Sequence, residues 1–449
     1  MTPSGFSHRI ISGWTTDFSS VAAKTPWPSI DLDQRLTTDL LFAFDRAETA
    51  GYTAIILWGL LAGRSWNSCL PDTVNPARKE HVLWLMEEVR RRGMKMIMGL
   101  GLYSWGFEEI IRDHPELDGG APDKMCGSRP ESWEWMKRVV DFIFEEYNPD
   151  GVSMQSSDQG RCPCDVCQEM GSLEYHSMIN EKVSGYIRSR WPDKFIHIST
   201  WGMDLSSPDE TKYVQKMTLH ADALNDVINS AARNGRLNRK TLIQSLNCAY
   251  GTEQGFWVDP PYFWDKDRWF LPFSLHNVPY WQALKEDGSD AIERYILSLV
   301  NPGAEVGFLF DGWMLQDMQR DPLKTLQEAL ELVFEPKNAT ARTGLVEIWQ
   351  TVENGFIDQL PHPEEARAIH PTSVHYSHPY PADALKNRPE YLLKMKPVSR
   401  EIFGASLRAA IQRLGSIRAE LGNSEKAVML ERCMRRNLAD VENVQAYKL

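Results

Sequence analysis

The sequence predicts an α/β protein of the (β/α)8 barrel class with an appended helical C-terminal region. Three observations carry that prediction. Strand-like and helical runs alternate about eight times before the pattern turns purely helical. The strand-like runs are short and nearly continuously apolar, as strands buried on both faces are. No GxGxxG or GxxxxGK[ST] motif follows the first strand, which disfavours the nucleotide-binding doubly wound sheets. The 449 residues suit a barrel of about 250 residues with additions as well as they suit three domains of about 150. The change of pattern places the barrel at residues 1–335 and the helical region at 336–449.

The elements follow in order. HRIISGW (8–14) reads as the first strand through its β-branched Ile10 and Ile11. Residues 33–50 read as a helix with Leu36, Leu40, Phe44 and Ala47 on one face, ended by Gly51. TAIILWG (53–59) is the second strand. A helix over 77–92 turns Val82, Leu85, Met86 and Val89 inward, and Gly93 stops it. KMIMGLGL (95–102) is strand three, 131–147 a helix, and PDGVSMQSS (149–157) strand four. A helix over 173–191, closed by Pro192, leads to FIHISTW (195–201) as strand five. TLIQSL (241–246) is the sixth strand and RWFLPFSL (268–275) the seventh. Residues 290–300 read as a helix, Asp290 and Glu293 being spaced as a capping box. AEVGFLFDG (304–312) reads as strand eight. Helices then cover 323–334, 340–358, 400–421 and 424–440, with a Pro- and His-rich link over 360–382.

Composition narrows the function. The net charge of −12 argues against sequence-independent nucleic-acid binding. No apolar run approaches the 18 or so residues of a membrane span, and the start shows no signal-peptide pattern, so a cytoplasmic protein is expected. Seven Cys do not make a disulfide scaffold in a chain of this length. Of the 16 Trp, only Trp349 lies beyond Trp313, so whatever uses indole rings sits in the barrel region. The helical region is expected to pack on the barrel or on a second copy of the chain.

Barrel enzymes place their sites at the C-terminal ends of the strands. Trp14 and Asp17 follow strand one, Trp58 and Arg64 strand two, and Tyr103 and Trp105 strand three. Asp158 and Gln159 follow strand four, Trp201 strand five, Asn247 and Tyr250 strand six. His276 follows the seventh strand, and Asp311 and Trp313 the eighth. Loops are polar and strand rims aromatic in many proteins, and an Asp there is often a cap or turn former. Nearly every strand end nevertheless pairs a ring with a polar group, which suits a cleft for sugars. Two carboxylates are the usual apparatus for cleaving glycosidic bonds. Asp158 and Asp311 each follow an apolar run directly and are the first choice, with Asp17 third. Gln159, Asn247 and Arg64 would hydrogen-bond hydroxyls or a carboxylate, and the aromatics would stack on rings.

The most specific local signal is Cys162-x-Cys164-x2-Cys167. Three thiols this close suit a soft metal, with Cys126, His176 or a carboxylate as fourth ligand. A structural zinc closing the strand-four loop is one reading, a disulfide a second, and plain thiols a third. No cofactor is expected for catalysis itself.

The segment SSDQGRCPCDVC (156–167) resembles the strand-four motif of proteins related to the α-glucuronidase and β-hexosaminidase glycoside hydrolases. There an acidic residue ends the strand, a Cys-x-Cys-x-x-Cys loop follows, and a helix carries an Asn near its start. Asp158, the three Cys and Asn180 match. WPDKFIHISTW (191–201) and DPLKTLQEALELVF (321–334) are similar to the family's entries into strand five and the C-terminal helices. The resemblance covers roughly 145–205 well and 300–360 loosely, and implies a catalytic barrel acting on sugars. It departs at Gln159, where β-hexosaminidases carry the acid Glu. The sequence is thus read as a glycoside hydrolase of an oligosaccharide or glycoside. A sugar lyase or epimerase with a Tyr or His base, and a non-catalytic sugar-binding barrel, stay open.

Overall fold

The computed structural model describes residues 5–14, 34–61, 65–103, 106–121, 124–156, 160–199, 220–221, 249–250, 270, 272, 274–286, 289–294, 299, 301–357, 359, 392 and 395–444. Eight parallel strands form one sheet: β1 His8–Trp14, β2 Ala54–Trp58, β3 Lys95–Gly101, β4 Gly151–Gln155, β5 Phe195–Ser199, β6 His220–Ala221, β7 Ala249–Tyr250 and β8 Ala291–Arg294. Their order is β6-β5-β4-β3-β2-β1-β8-β7, which is sequence order with the first strand beside the last. The sheet is rolled. His8 of β1 and Phe195 of β5, four strands apart, bring their rings to 5.3 Å across the interior. Among the described residues no ladder joins β6 to β7, so these residues form a rolled open sheet and do not show the closed barrel expected from the sequence.

Helices connect the strands: α1 Gln34–Ala50, α2 Pro76–Arg91, the short α3 Glu108–Asp113, α4 Pro130–Glu146, the short α5 Asp165–Gln168, and α6 Ser172–Arg190. Their apolar faces cover the outward residues of the strands, among them Ile55, Leu57, Met96, Met98, Val152 and Ile196. The starts are set locally. Asn75 accepts the Arg78 N–H at 2.9 Å, and Pro76 supplies the fixed φ of the first turn. Gly51, at φ 77°, ends α1 in the left-handed conformation that a side chain disfavours.

The structure corrects the sequence at the eighth repeat. Residues 304–312 are not a strand: they lie in α8, Pro302–Gln316, which follows α7, Ser274–Glu286. The helix is apolar on nearly every side because it packs between α1, β1 and the helices that follow. Its start carries a legible signal, Asn301 accepting the Gly303 N–H at 2.8 Å ahead of Pro302. The eighth strand is instead Ala291–Arg294, where the sequence suggests a capped helix. The predicted sixth strand at 241–246 lies outside the described residues, as does half of the predicted seventh, whose last two residues, Ser274 and Leu275, open α7 instead.

Four further helices complete the chain: α9 Pro322–Phe334, α10 Ala339–Ile357, α11 Pro397–Ile417 and α12 Ser424–Glu442. They pack on one another, and α8 touches both α9 and α12. Glu305 of α8, fully buried, accepts Arg46 Nε of α1 at 2.8 Å and is ion-paired with Lys426 Nζ of α12 at 2.6 Å. The Phe270 N–H donates to Asn437 of α12 at 2.7 Å, and its ring meets Trp349 of α10 edge-on at 4.6 Å.

Asp311 and Trp313 are displaced with their helix. Asp311 is wholly buried and ion-paired with Arg294, the last residue of β8. Burial pushes its carboxyl up to about 7, against the pull of the Arg294 guanidinium and with a contribution from the nearby Glu353. Trp313 donates its indole N–H to the Thr49 carbonyl at 2.9 Å, at the end of α1 that leads into the start of β2. That is the opposite end of the sheet from a strand-end cleft. Replacing Asp311 by Asn should therefore act on stability. An unpaired guanidinium buried at Arg294 costs about 3–5 kcal/mol, measurable as a lower urea midpoint. An unchanged midpoint would contradict this structural role.

Candidate active site

The register of the strands assembles the inner face. Trp14 pairs with Trp58, Gly99 with Ser153, Gly101 with Gln155, Ser153 with His197, and Gln155 with Ser199. Ile10 pairs with Glu293, so Glu293 shares that face. The interior is thus polar along β4, β5 and β8, and aromatic at the end of β2. Ser153 Oγ and His197 Nδ1 lie 2.6 Å apart, and His197 Nε2 lies 3.2 Å from Glu293 Oε2 across the lumen. All three side chains are buried. The Trp58 indole fills the space that a side chain at position 99 would take, since a β-carbon on Gly99 would lie 2.2 Å from its Cδ2.

Towards the C-terminal end of β4 this polar row loses its internal partners. Gln155 Oε1, on a residue only 4% exposed, has no hydrogen-bond partner among the described residues, and neither does the Ser12 Oγ of β1. The next residue, Ser156, is held from below by α6. Asn180, fully buried, donates its Nδ2 to Ser156 Oγ at 3.1 Å and to the His176 carbonyl at 2.9 Å. His176 is packed beside Ser156. Burial first, then the positive Arg161, hold its pKa down to about 4, against the pull of the Ser156 backbone.

Several sequence candidates lie outside the described residues: Asp17, Arg64, Trp105, Asp158, Gln159, Trp201 and Asn247. Trp14 and Tyr250 are described as backbone, at the ends of β1 and β7. Trp58 lies on the inner face and is buried rather than presented on an open rim. Tyr103 is likewise buried, with φ at 61°, a left-handed conformation uncommon for an aromatic residue. Its carbonyl accepts the Met125 N–H at 3.0 Å, which fastens the end of β3 beside Cys126. His276 is in α7, not at a strand end. Its Nδ1 lies 2.7 Å from Glu353 Oε1 of α10, and the same oxygen accepts its backbone N–H at 2.8 Å. It joins α7 to the helical region.

Sequence reasoning missed Ser153, Gln155, His197, Ser199 and Glu293. For the first four the signal was present: in GVSMQ and FIHIS, polar residues alternate with apolar ones at a period of two. Glu293 was obscured because it fitted a helix cap.

The thiols of Cys162, Cys164 and Cys167 come together with that of Cys126, and all four sulfurs lie within 4.8 Å of one another. Cys126 Sγ is 3.5 Å from Cys164 Sγ and 3.9 Å from Cys167 Sγ. His176, the other buried candidate for a fourth ligand, is not in the group. Cys126 comes from the segment between β3 and α4, and the other three from the segment between β4 and α6. The Cys164 thiol is brought down to about 7: burial opposes its ionisation but is outweighed by hydrogen bonds from the Cys167 N–H and the neighbouring thiols.

The architecture so assembled, a rolled parallel sheet inside a layer of helices, is shared with glycosidases of known structure. The chain is similar to the O-GlcNAc hydrolase of Thermobaculum terrenum, solved as a point mutant, with a TM-score of 0.53 at 9% identity, covering 98% of this chain and 83% of that one. It is also similar to a GH138 enzyme targeting pectin rhamnogalacturonan II, with a TM-score of 0.55 at 10% identity, covering 98% of this chain and 57% of that one. At such identities the likeness is one of fold. The chain matches no protein-family model and no curated protein sequence.

His176 gives the site a pH signature. A His whose folded pKa lies below its unfolded value stabilises the fold above about 6.5, and that contribution disappears as pH falls towards 4. His176→Gln should therefore flatten the acid limb of stability, removing about 3 kcal/mol of the loss between those pH values. Urea unfolding of both proteins across that range checks it. Parallel curves would contradict a buried neutral imidazole.

Proposed function

We propose that the protein is a glycoside hydrolase whose strands close into a (β/α)8 barrel over residues 1–335, with residues 336–449 packed on it as a helical region. The observation that carries the reading is the buried polar row that runs along the inner face and ends in Gln155 Oε1, which has no hydrogen-bond partner among the described residues. An interior filled only for stability would be apolar or internally paired. An acceptor left over at the C-terminal end of β4 suits a ligand rich in hydroxyls. The fold shared with two glycosidases supports the same class of chemistry.

Asp158 stands three residues beyond Gln155 on the chain and is proposed as the acid or nucleophile. Asp17 stands three residues beyond Trp14 and is proposed as the second carboxylate. It takes the place of Asp311, which is engaged by Arg294 in the outer layer. Trp14, Trp58, Trp105 and Trp201 are proposed to shape the sugar subsite, with Arg64, Gln159, Asn247 and Tyr250 bonding its hydroxyls or a carboxylate. The finer relation to α-glucuronidases and β-hexosaminidases rests on the strand-four resemblance alone. Because Gln159 cannot donate a proton as the hexosaminidase Glu does, the acid role falls on Asp158 or another strand end. The same Gln159 favours a second reading, a barrel that binds sugars without cleaving them.

A panel of aryl glycosides and oligosaccharides, followed by reducing-end release, separates the two. Under the hydrolase reading at least one substrate is cleaved, and Asp158→Asn lowers its kcat by about 10²–10⁴-fold with KM little changed. Binding with no turnover by the native protein supports the non-catalytic reading. Normal turnover in Asp158→Asn removes that residue from the mechanism.

A further inference from the structure

The four-thiol group plays no part in the proposed glycosidase chemistry, yet nothing in simple packing calls for it. Its members come from two segments: Cys126 follows β3, and Cys162, Cys164 and Cys167 follow β4. Three of the four are buried and Cys164 is partly so. A tetrahedron of thiolates about one zinc, with Zn–S near 2.3 Å, has sulfurs about 3.8 Å apart. The separations of 3.5 and 3.9 Å, within an overall spread of 4.8 Å, match that size. A cubane iron–sulfur cluster, in which each thiolate binds a different iron, requires a wider cage.

The surroundings are shaped to the sulfurs as well. A β-carbon on Gly119 would lie 2.2 Å from Cys162 Sγ, so only glycine leaves room for that thiol. The Cys164 N–H is directed at Cys162 Sγ, and the Cys167 N–H at Cys164 Sγ. Ser128 Oγ lies 3.1 Å from Cys126 Sγ. Donors of this kind stabilise metal-bound thiolates from outside the coordination sphere. Left without a metal, the thiols crowd together with no cation to favour their ionised form.

We propose that Cys126, Cys162, Cys164 and Cys167 bind a single zinc ion that clips the segment after β3 to the segment after β4. Four thiolates fill the tetrahedron and leave no open position for water or substrate, so the ion is structural rather than catalytic. Each thiol loses its proton to solvent on binding. Six residues separate Gln155 from Cys162, and Asp158 is among them. A fixed Cys162 therefore shortens the free run of the chain that carries the proposed acid.

The test uses the full chain, purified without chelators from zinc-supplemented medium. Elemental analysis should find about one zinc per chain, released stoichiometrically when a mercurial modifies the thiols. Cys126→Ser should lose the ion to a chelator that the native protein withstands, and melt at lower temperature. Cys69→Ser, at an exposed thiol outside the group, should keep it. If Cys126→Ser fails to fold, the zinc content and thiol titration of the native protein still decide. Metal-free native protein with all seven thiols reactive after unfolding overturns the proposal. So does a mass two hydrogens lighter, which marks a disulfide, or iron in place of zinc.

Discussion

Strand β8 carries two charges side by side, Glu293 and Arg294, and both are buried. Successive residues of a strand face opposite sides of the sheet. One charge must therefore be met inside the rolled sheet and the other outside it. Inside, Glu293 meets His197, which is bonded to Ser153, so three strands are tied across the lumen. Outside, Arg294 meets Asp311, which requires α8 to lie against this strand with its acid turned inward. Buried ion pairs contribute little net stability, but breaking one is costly. The Arg294–Asp311 pair therefore specifies which helix covers β8, and the Glu293–His197 contact which strands face it, more than they add to the stability of the fold.

The same constraint explains where the sequence misleads. A strand with adjacent charged residues looks like the exposed first turn of a helix, and Asp290 and Glu293 have the spacing of a cap. A helix enclosed on most sides looks like a buried strand, as α8 does. Its Asn301-Pro302 start and its length are the evidence against that reading. Elsewhere the pattern is direct. The first five strands and the helices between them, apolar on one stripe and stopped by Gly51 or Gly93, are legible from periodicity. So are the helices of the last hundred or so residues.

The site is legible in part. The Cys-x-Cys-x-x-Cys spacing announces a cluster, but its fourth member, Cys126, lies 36 residues upstream. Only the pairing of β3 with β4 brings it into place. The polar lining of β4 and β5 is written as a period of two, but it is masked because both strands also read as buried. Trp58 and Tyr103 do stand at strand ends. As buried residues they brace the end of the sheet, Trp58 against Gly99 and Tyr103 beside the Cys group. The thiol cluster, the α6 contacts to Ser156 and the strained Tyr103 all converge on the segments after β3 and β4. The fold thus concentrates its rigid local chemistry where the proposed acid enters.

The central claim is that the inner face at the C-terminal ends of β2, β4 and β5 receives a sugar. A crystal structure of the protein soaked with a monosaccharide glycosidase inhibitor tests it most directly. The account predicts one sugar ring on the Trp58 side of the lumen, with a hydroxyl donating to Gln155 Oε1. A sugar bound only among α9 to α12, with Gln155 untouched, would contradict it.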